Sequence, residues 1–136
     1  MADLAGSLDA NVLLRLLLND VAAEHAAAVE LVGRGSFKVS DVAVAEMVFV
    51  LDRHYRWTRE QIHRLVGRLL QQPPILASAQ VMPSLDKYKS APKLSFEDCL
   101  LVEHAGRGRA EPLWTFDRKL ASQTTAELVP AGTGAG

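Results

Sequence analysis

The chain has 136 residues, 49% of them hydrophobic and 23% charged, the size and composition of one packed globular domain into which two would not fit comfortably. Its formal net charge of -1 excludes a protein that holds nucleic acid by bulk attraction and leaves room only for a local basic stripe. A single cysteine, Cys99, excludes an internal disulfide or a cysteine-based metal cluster, and no apolar run of about 18 residues or secretory leader is present, so a soluble, cytoplasmic protein without a membrane partner is expected.

Leu4 to Leu8 is short and mostly small or apolar, which predicts a buried strand, and Asp9 or Asn11 then caps a Leu-rich helix over Val12 to Leu18. A second, alanine-rich helix runs from Val21 to Val32 and stops at Gly33-Arg34-Gly35. Phe37 to Val39 reads as the next strand. Ser40 or Asp41 caps a long helix reaching about Arg53, and Thr58 opens another with Ile62, Leu65, Val66, Leu69 and Leu70 at helical spacing, an antiparallel pair. Pro73-Pro74 ends that pair. Ile75 to Ala77 is a third strand or an extended connection. Ser78 to Lys89 fits a helix interrupted or ended near Pro83, followed by a loop at Ser90-Ala91-Pro92-Lys93. Ser95 opens a helix that Gly106 stops. Pro112 to Phe116 is a strand ending at Asp117, Arg118 to Ser122 a helical turn, and Glu127 to Val129 a last strand. The tail Ala131 to Gly136 is expected to be disordered, leaving one domain over residues 1–130.

Strands alternating with helices imply parallel pairing through right-handed crossovers, hence a three-layer α/β domain. In open parallel sheets the working site lies beyond the carboxyl ends of the strands, where Asp9 and Asp117 both fall. With Glu46 and Asp98 they make four carboxylates that end apolar runs or lie in the helices that follow. If they converge, they suit a hard divalent cation.

Each has a plainer role to weigh against that. Asp9 and Asp117 fit helix caps, and Ser95-Phe96-Glu97-Asp98 fits a capping box with aspartate in place of the usual Glu or Gln. Asn11 is a cap or a supporting polar group. Glu46 differs: its neighbours at three and four residues are Val42, Ala43, Phe49 and Val50, an apolar face on which a buried, unpaired carboxylate would cost several kcal/mol. The sequence predicts that Glu46 is buried and met by a cation or donors. His25, His54, His63 and His104 lack zinc-site spacing, and there is no glycine-rich phosphate loop or nucleophile elbow. Arg53, His54, Arg56, Arg59, Arg64 and Arg68 form a basic cluster that suits a solvated helix surface, or a phosphate or acidic partner. Cys99, in an apolar pattern, is expected to be a small buried hydrophobe.

Leu8-Asp9-Ala10-Asn11-Val12-Leu13-Leu14-Arg15, Val39 through Glu46, Leu94-Ser95-Phe96-Glu97-Asp98-Cys99-Leu100 and Thr115-Phe116-Asp117-Arg118-Lys119 together resemble the PIN-domain ribonucleases, and their order and spacing look most like the VapC-type toxins of toxin–antitoxin pairs. The resemblance implies an α/β/α sandwich on a parallel sheet of about five strands. It also implies an endoribonuclease dependent on Mg²⁺ or Mn²⁺, with Asp9, Glu46, Asp98 and Asp117 as metal-binding and catalytic acids supported by Asn11 and Thr115. RNA would be the substrate, cleaved to leave a 5′-phosphate and a 3′-hydroxyl. A homodimer and an inhibitory antitoxin would be the partners, with DNA reached only through the antitoxin. Members often carry further acids where Ser95 and Lys119 stand here, so a single resting metal ion is expected. The residues before Leu8 are more than such toxins usually have, and no function attaches to them. Two alternatives belong to other classes. One is a non-catalytic PIN-like module acting through an antitoxin and DNA complex, against which the four acids argue. The other is a haloacid-dehalogenase-type phosphatase, which expects a second aspartate where Asn11 stands.

Overall fold

Polar caps set where five of the seven described helices begin, and the short runs outside the helices supply the strands. In chain order the computed structural model, which describes residues 4–132, contains β1 (Leu4–Leu8), α1 (Ala10–Leu17), α2 (Ala22–Val32), β2 (Ser36–Val39), α3 (Asp41–Arg53), α4 (Arg59–Leu70), β3 (Ile75–Ala77), α5 (Val81–Ser90), α6 (Phe96–Arg107), β4 (Trp114–Thr115), α7 (Arg118–Gln123) and β5 (Glu127–Leu128). Of the tail expected to be disordered, residues 133–136 lie outside that range.

Ser40 accepts a bond from the Ala43 amide to start α3, and Thr58 and Gln61 exchange both bonds of a capping box at α4. Pro83 falls in the first turn of α5, not at a break or an end as the sequence suggests. A proline there gives up an N–H that has no acceptor inside the helix anyway, so it starts the helix at no cost in hydrogen bonds.

Every strand pairing is parallel and the strands alternate with helices, which is the α/β class. The expected single sheet of about five strands is not continuous among the described residues: β1, β2 and β3 form one sheet in that order, and β4 and β5 form another. The two strands of the second ladder have two residues each and are bonded to one another, extended by Glu127 and Val129 donating to the carbonyls of Leu113 and Thr115. As a result β1 is an edge strand whose Leu4 to Ser7 are exposed and whose only buried residue is Leu8, which corrects the expectation of a buried strand. Its register slips between Leu4 and Gly6, where Gly6 takes φ 148°, a conformation that side chains rarely allow.

The core gathers around the inner face of α3. Ala43, Val44, Met47, Val48 and Leu51 form the inner stripe of α3, against Leu13 of α1, Ile62 and Val66 of α4, Val81 and Leu85 of α5, and Cys99 of α6. Each large side chain so buried is worth roughly 1.5–3 kcal/mol. Cys99 is fully enclosed, and that burial pushes its thiol up to about 11, as expected of a small hydrophobe. The β4–α7–β5 unit joins the same core through Leu113, Leu120 and Ala126. Among the described residues no helix is long and apolar enough to cross a membrane.

Candidate functional site

Register places the carboxyl ends of β1, β2 and β3 side by side, with Leu8 opposite Val39 and Val39 opposite Ala77. The residues that follow, Asp9, Ser40 with Asp41, and Ser78, therefore stand along one edge. Asp41 ties that edge together: its carboxylate accepts from the Ser78 hydroxyl at 2.6 Å and from the Gln80 side-chain amide. The sequence offers Asp41 only as a cap for α3. Its lateral role depends on β3 lying beside β2, which no local pattern reveals.

Asp9 caps α1, its Oδ1 accepting from the Val12 amide at 3.0 Å. Asp98 is the third residue of α6, where its Oδ2 accepts from the Ser95 amide at 3.2 Å while Ser95 Oγ accepts from the Asp98 amide at 3.1 Å. Asp117 caps α7 with Oδ1, accepting from Lys119 and Leu120 amides at 2.8 and 3.3 Å, and its own amide donates to Thr115 Oγ1 at 2.9 Å. The capping roles weighed against each of these aspartates are thus real. They are not exclusive, because in each case one carboxylate oxygen makes the cap bonds and the other is left without a donor among the described residues.

Glu46 departs from its expectation. It projects from the face of α3 opposite the inner stripe and is exposed, as are its neighbours Val42 (68%) and Phe49 (55%). The desolvation cost inferred from its apolar surroundings is therefore absent: those surroundings are apolar but lie at the surface. Glu46 makes no hydrogen bond or ion pair among the described residues. It lines a groove of about 420 Å³ together with Ala10, Asn11, Leu14, Val42, Phe49 and Glu97. The groove joins the start of α1, the outer face of α3 and the start of α6.

Glu97, not Asp98, shares this groove with Glu46 and Asn11, and the sequence reading passed over it. A signal was present, since the second residue of a capped helix has no box bond to make and faces outward, free for other work. Thr115 meets Asp117 through the backbone amide of Asp117 and not through its carboxylate.

For a hard divalent cation the donor chemistry is right: carboxylate and amide oxygens, three of the carboxylates with one oxygen free. The gathering is incomplete, since among the described residues no three acid, histidine or cysteine side chains stand close enough together to hold one ion. What the structure assembles is an edge with Asp9 on it and a groove beside it holding Asn11, Glu46 and Glu97.

The model of the family described as PIN domain matches residues 7–124. No curated protein matches the chain.

Proposed function

Because the chain belongs to the PIN domain family, whose members are typically metal-dependent nucleases, we propose that it is an endoribonuclease that hydrolyses RNA phosphodiester bonds with Mg²⁺ or Mn²⁺. The observation that carries this reading is that the match over residues 7–124 takes in Asp9, Glu46, Asp98 and Asp117. It is supported by Asp9 at the carboxyl edge of the sheet and by Glu46 and Asn11 in one open groove.

Asp9, Glu46, Asp98 and Asp117 are the residues that would hold the cation, the three aspartates through the carboxylate oxygen that each cap leaves free and Glu46 through an uncommitted carboxylate. A divalent ion bound there supplies Lewis acidity toward a phosphoryl oxygen and a more acidic bound water. The chain's own contribution is positional. The Ser95 amide fixes the Asp98 carboxylate, the Lys119 and Leu120 amides fix Asp117, and the Val12 amide fixes Asp9, so each presents its second oxygen without conformational search. Glu46 is free to accept a proton or orient water on the open side of the groove. Cleavage of single-stranded RNA by the purified chain, with and without Mg²⁺, tests the reading. Products carrying 5′-phosphate and 3′-hydroxyl ends are expected, and a chain that leaves RNA intact with Mg²⁺ and Mn²⁺ overturns it.

The same proposal extends to partners and to the VapC type. Exposed Val42 and Phe49 on α3 suit a homodimer, and they continue into arginines that suit an antitoxin segment. Such a segment inhibits by placing a basic side chain near the acids. Sedimentation showing only monomer at micromolar concentration overturns the dimer, and undiminished cleavage in the saturated complex overturns the inhibition.

A further inference from the structure

On the far side of Phe49 and Glu97 from the Glu46 groove lies a second one, of about 290 Å³, lined by the cations Arg53, Arg59 and Lys93, by the carboxylate of Asp52 and by Tyr88, along with the start of α6. Arg53 lies 3.9 Å from the Asp52 carboxylate, while Arg59 and Lys93, like most arginines of the chain, pair with no carboxylate among the described residues. Arg59 is fixed instead by backbone carbonyls: its Nη1 donates to Tyr88 O at 2.8 Å and Ala91 O at 3.3 Å, and its guanidinium stacks 4.0 Å above the Tyr88 ring. Those two bonds use both Nη1 hydrogens. The Nε and Nη2 hydrogens, the fork that matches two oxygens of an oxyanion, have no acceptor among the described residues. The Tyr88 hydroxyl beneath it is buried and has no hydrogen-bond partner among the described residues, so the ring serves as a support for Arg59 and not as a donor to the groove.

A guanidinium locked by neutral groups, stripped of a counter-ion and left with its fork free is a preorganised anion site. Among anions, a phosphodiester suits this place better than the carboxylate of an acidic peptide, for a geometric reason. The two grooves share Phe49 and Glu97 as a common ridge, so a strand hydrolysed beside Glu46 continues directly over it. Phe49 is exposed there, with Arg53 5.6 Å from its ring centroid, a surface on which a base can stack. The geometry points to a backbone-phosphate subsite for single-stranded RNA in this groove, with Arg59 as the fixed bidentate donor, Lys93 as an exposed second cation and Phe49 as the stacking platform between it and the Glu46 groove. The choice of RNA as ligand rests on the nuclease reading above, whereas the anion site itself does not.

The test is binding of a labelled single-stranded RNA in EDTA, so that nothing is cleaved, measured against salt concentration. Lys93→Gln, an exposed change that removes no bond within the protein, should weaken binding about tenfold and flatten the salt slope by about 0.7, the share of one phosphate on a single strand. Arg59→Gln should do the same. Arg59→Lys should weaken binding while keeping the slope, since it retains the charge and loses the fork. Wild-type affinity and slope in both Lys93→Gln and Arg59→Gln, with melting curves showing folded protein, overturn the subsite even if the wild type cleaves RNA. Binding that depends on Arg59 in a chain that cleaves nothing supports the subsite and sinks the nuclease reading instead. A glutamate oligomer of equal charge that binds as tightly as RNA, with the same loss in Arg59→Lys, overturns the phosphate assignment in favour of an acidic peptide.

Discussion

The acids at the helix starts and the acid in the middle of α3 are built differently. Asp9, Asp98 and Asp117 each commit one oxygen to backbone amides, whereas Glu46 commits none and stands between exposed Val42 and Phe49. At a helix start, then, a substitution mixes the loss of a cap with the loss of a charge. At Glu46 it removes a charge alone. The largest effect expected from this contrast is at Glu46→Gln, which should abolish Mg²⁺-dependent cleavage, a loss on the order of a thousandfold or more as for removing one preorganised group from a reacting centre, while the thermal midpoint stays put. Undiminished cleavage would return Glu46 to ordinary solvated surface and leave the contrast without functional meaning.

The two faces of α3 sharpen the same point. Met47 is fully buried and Phe49, two residues on, is more than half exposed. Met47→Ala should cost about 3 kcal/mol in urea unfolding, and Phe49→Ala close to nothing for the isolated chain. Equal losses at the two positions would mean that the outer face is covered in solution, and a loss at Phe49 that grows with protein concentration would identify a second copy as the cover.

Among the capped acids, Asp117 separates its two duties by choice of substituent. Asp117→Ala removes the acceptor for two amides and should cost about 1 kcal/mol of stability. Asp117→Asn keeps an oxygen for those amides and should leave stability nearly unchanged while still abolishing cleavage, because it removes a charge the cation requires. Asp9→Asn should behave in the same way. If the asparagine variants cleave as well as wild type, these aspartates are caps and nothing more.

Local chemistry was readable where the decision is local. The caps at Ser40, Thr58, Ser95 and Asp117 follow from hydroxyls and carboxylates at the starts of periodic runs, and the structure uses each one. What could not be read depends on which surface meets which. Glu46 has apolar neighbours on its face, but α3 is apolar nearly all round, so periodicity could not say which side of it turns to the core. The division of the strands into two ladders is hidden for the same reason, because pairing partners are far apart in sequence. Arg59 was visible only as one of six basic residues. Its distinction comes from the carbonyls of Tyr88 and Ala91 in another part of the chain.

The smallest expected effect reads the helix-start half of the comparison through a neighbour. Asp98 faces out from the first turn of α6 and Cys99, the next residue, faces fully inward. Burial holds the Cys99 thiol at about 11, above its ordinary 9.0. A group whose folded value is raised loses its contribution as pH climbs, so stability should be flat with pH near neutrality and fall between about 9 and about 11, where the unfolded chain sheds the proton and the folded one keeps it. Cys99→Ala should abolish that slope. Near neutrality the consequence is kinetic: the thiolate is the reactive form, so Cys99 should label slowly with a thiol reagent, and only when the first turn of α6 opens. Asp98→Ala removes the bond back to the Ser95 amide and should speed labelling a few-fold, while Asp98→Asn should not. Equal labelling in both variants would show that the Asp98 carboxylate contributes no hold on its own helix, leaving its charge as its only duty and making it the counterpart of Glu46 instead of its contrast.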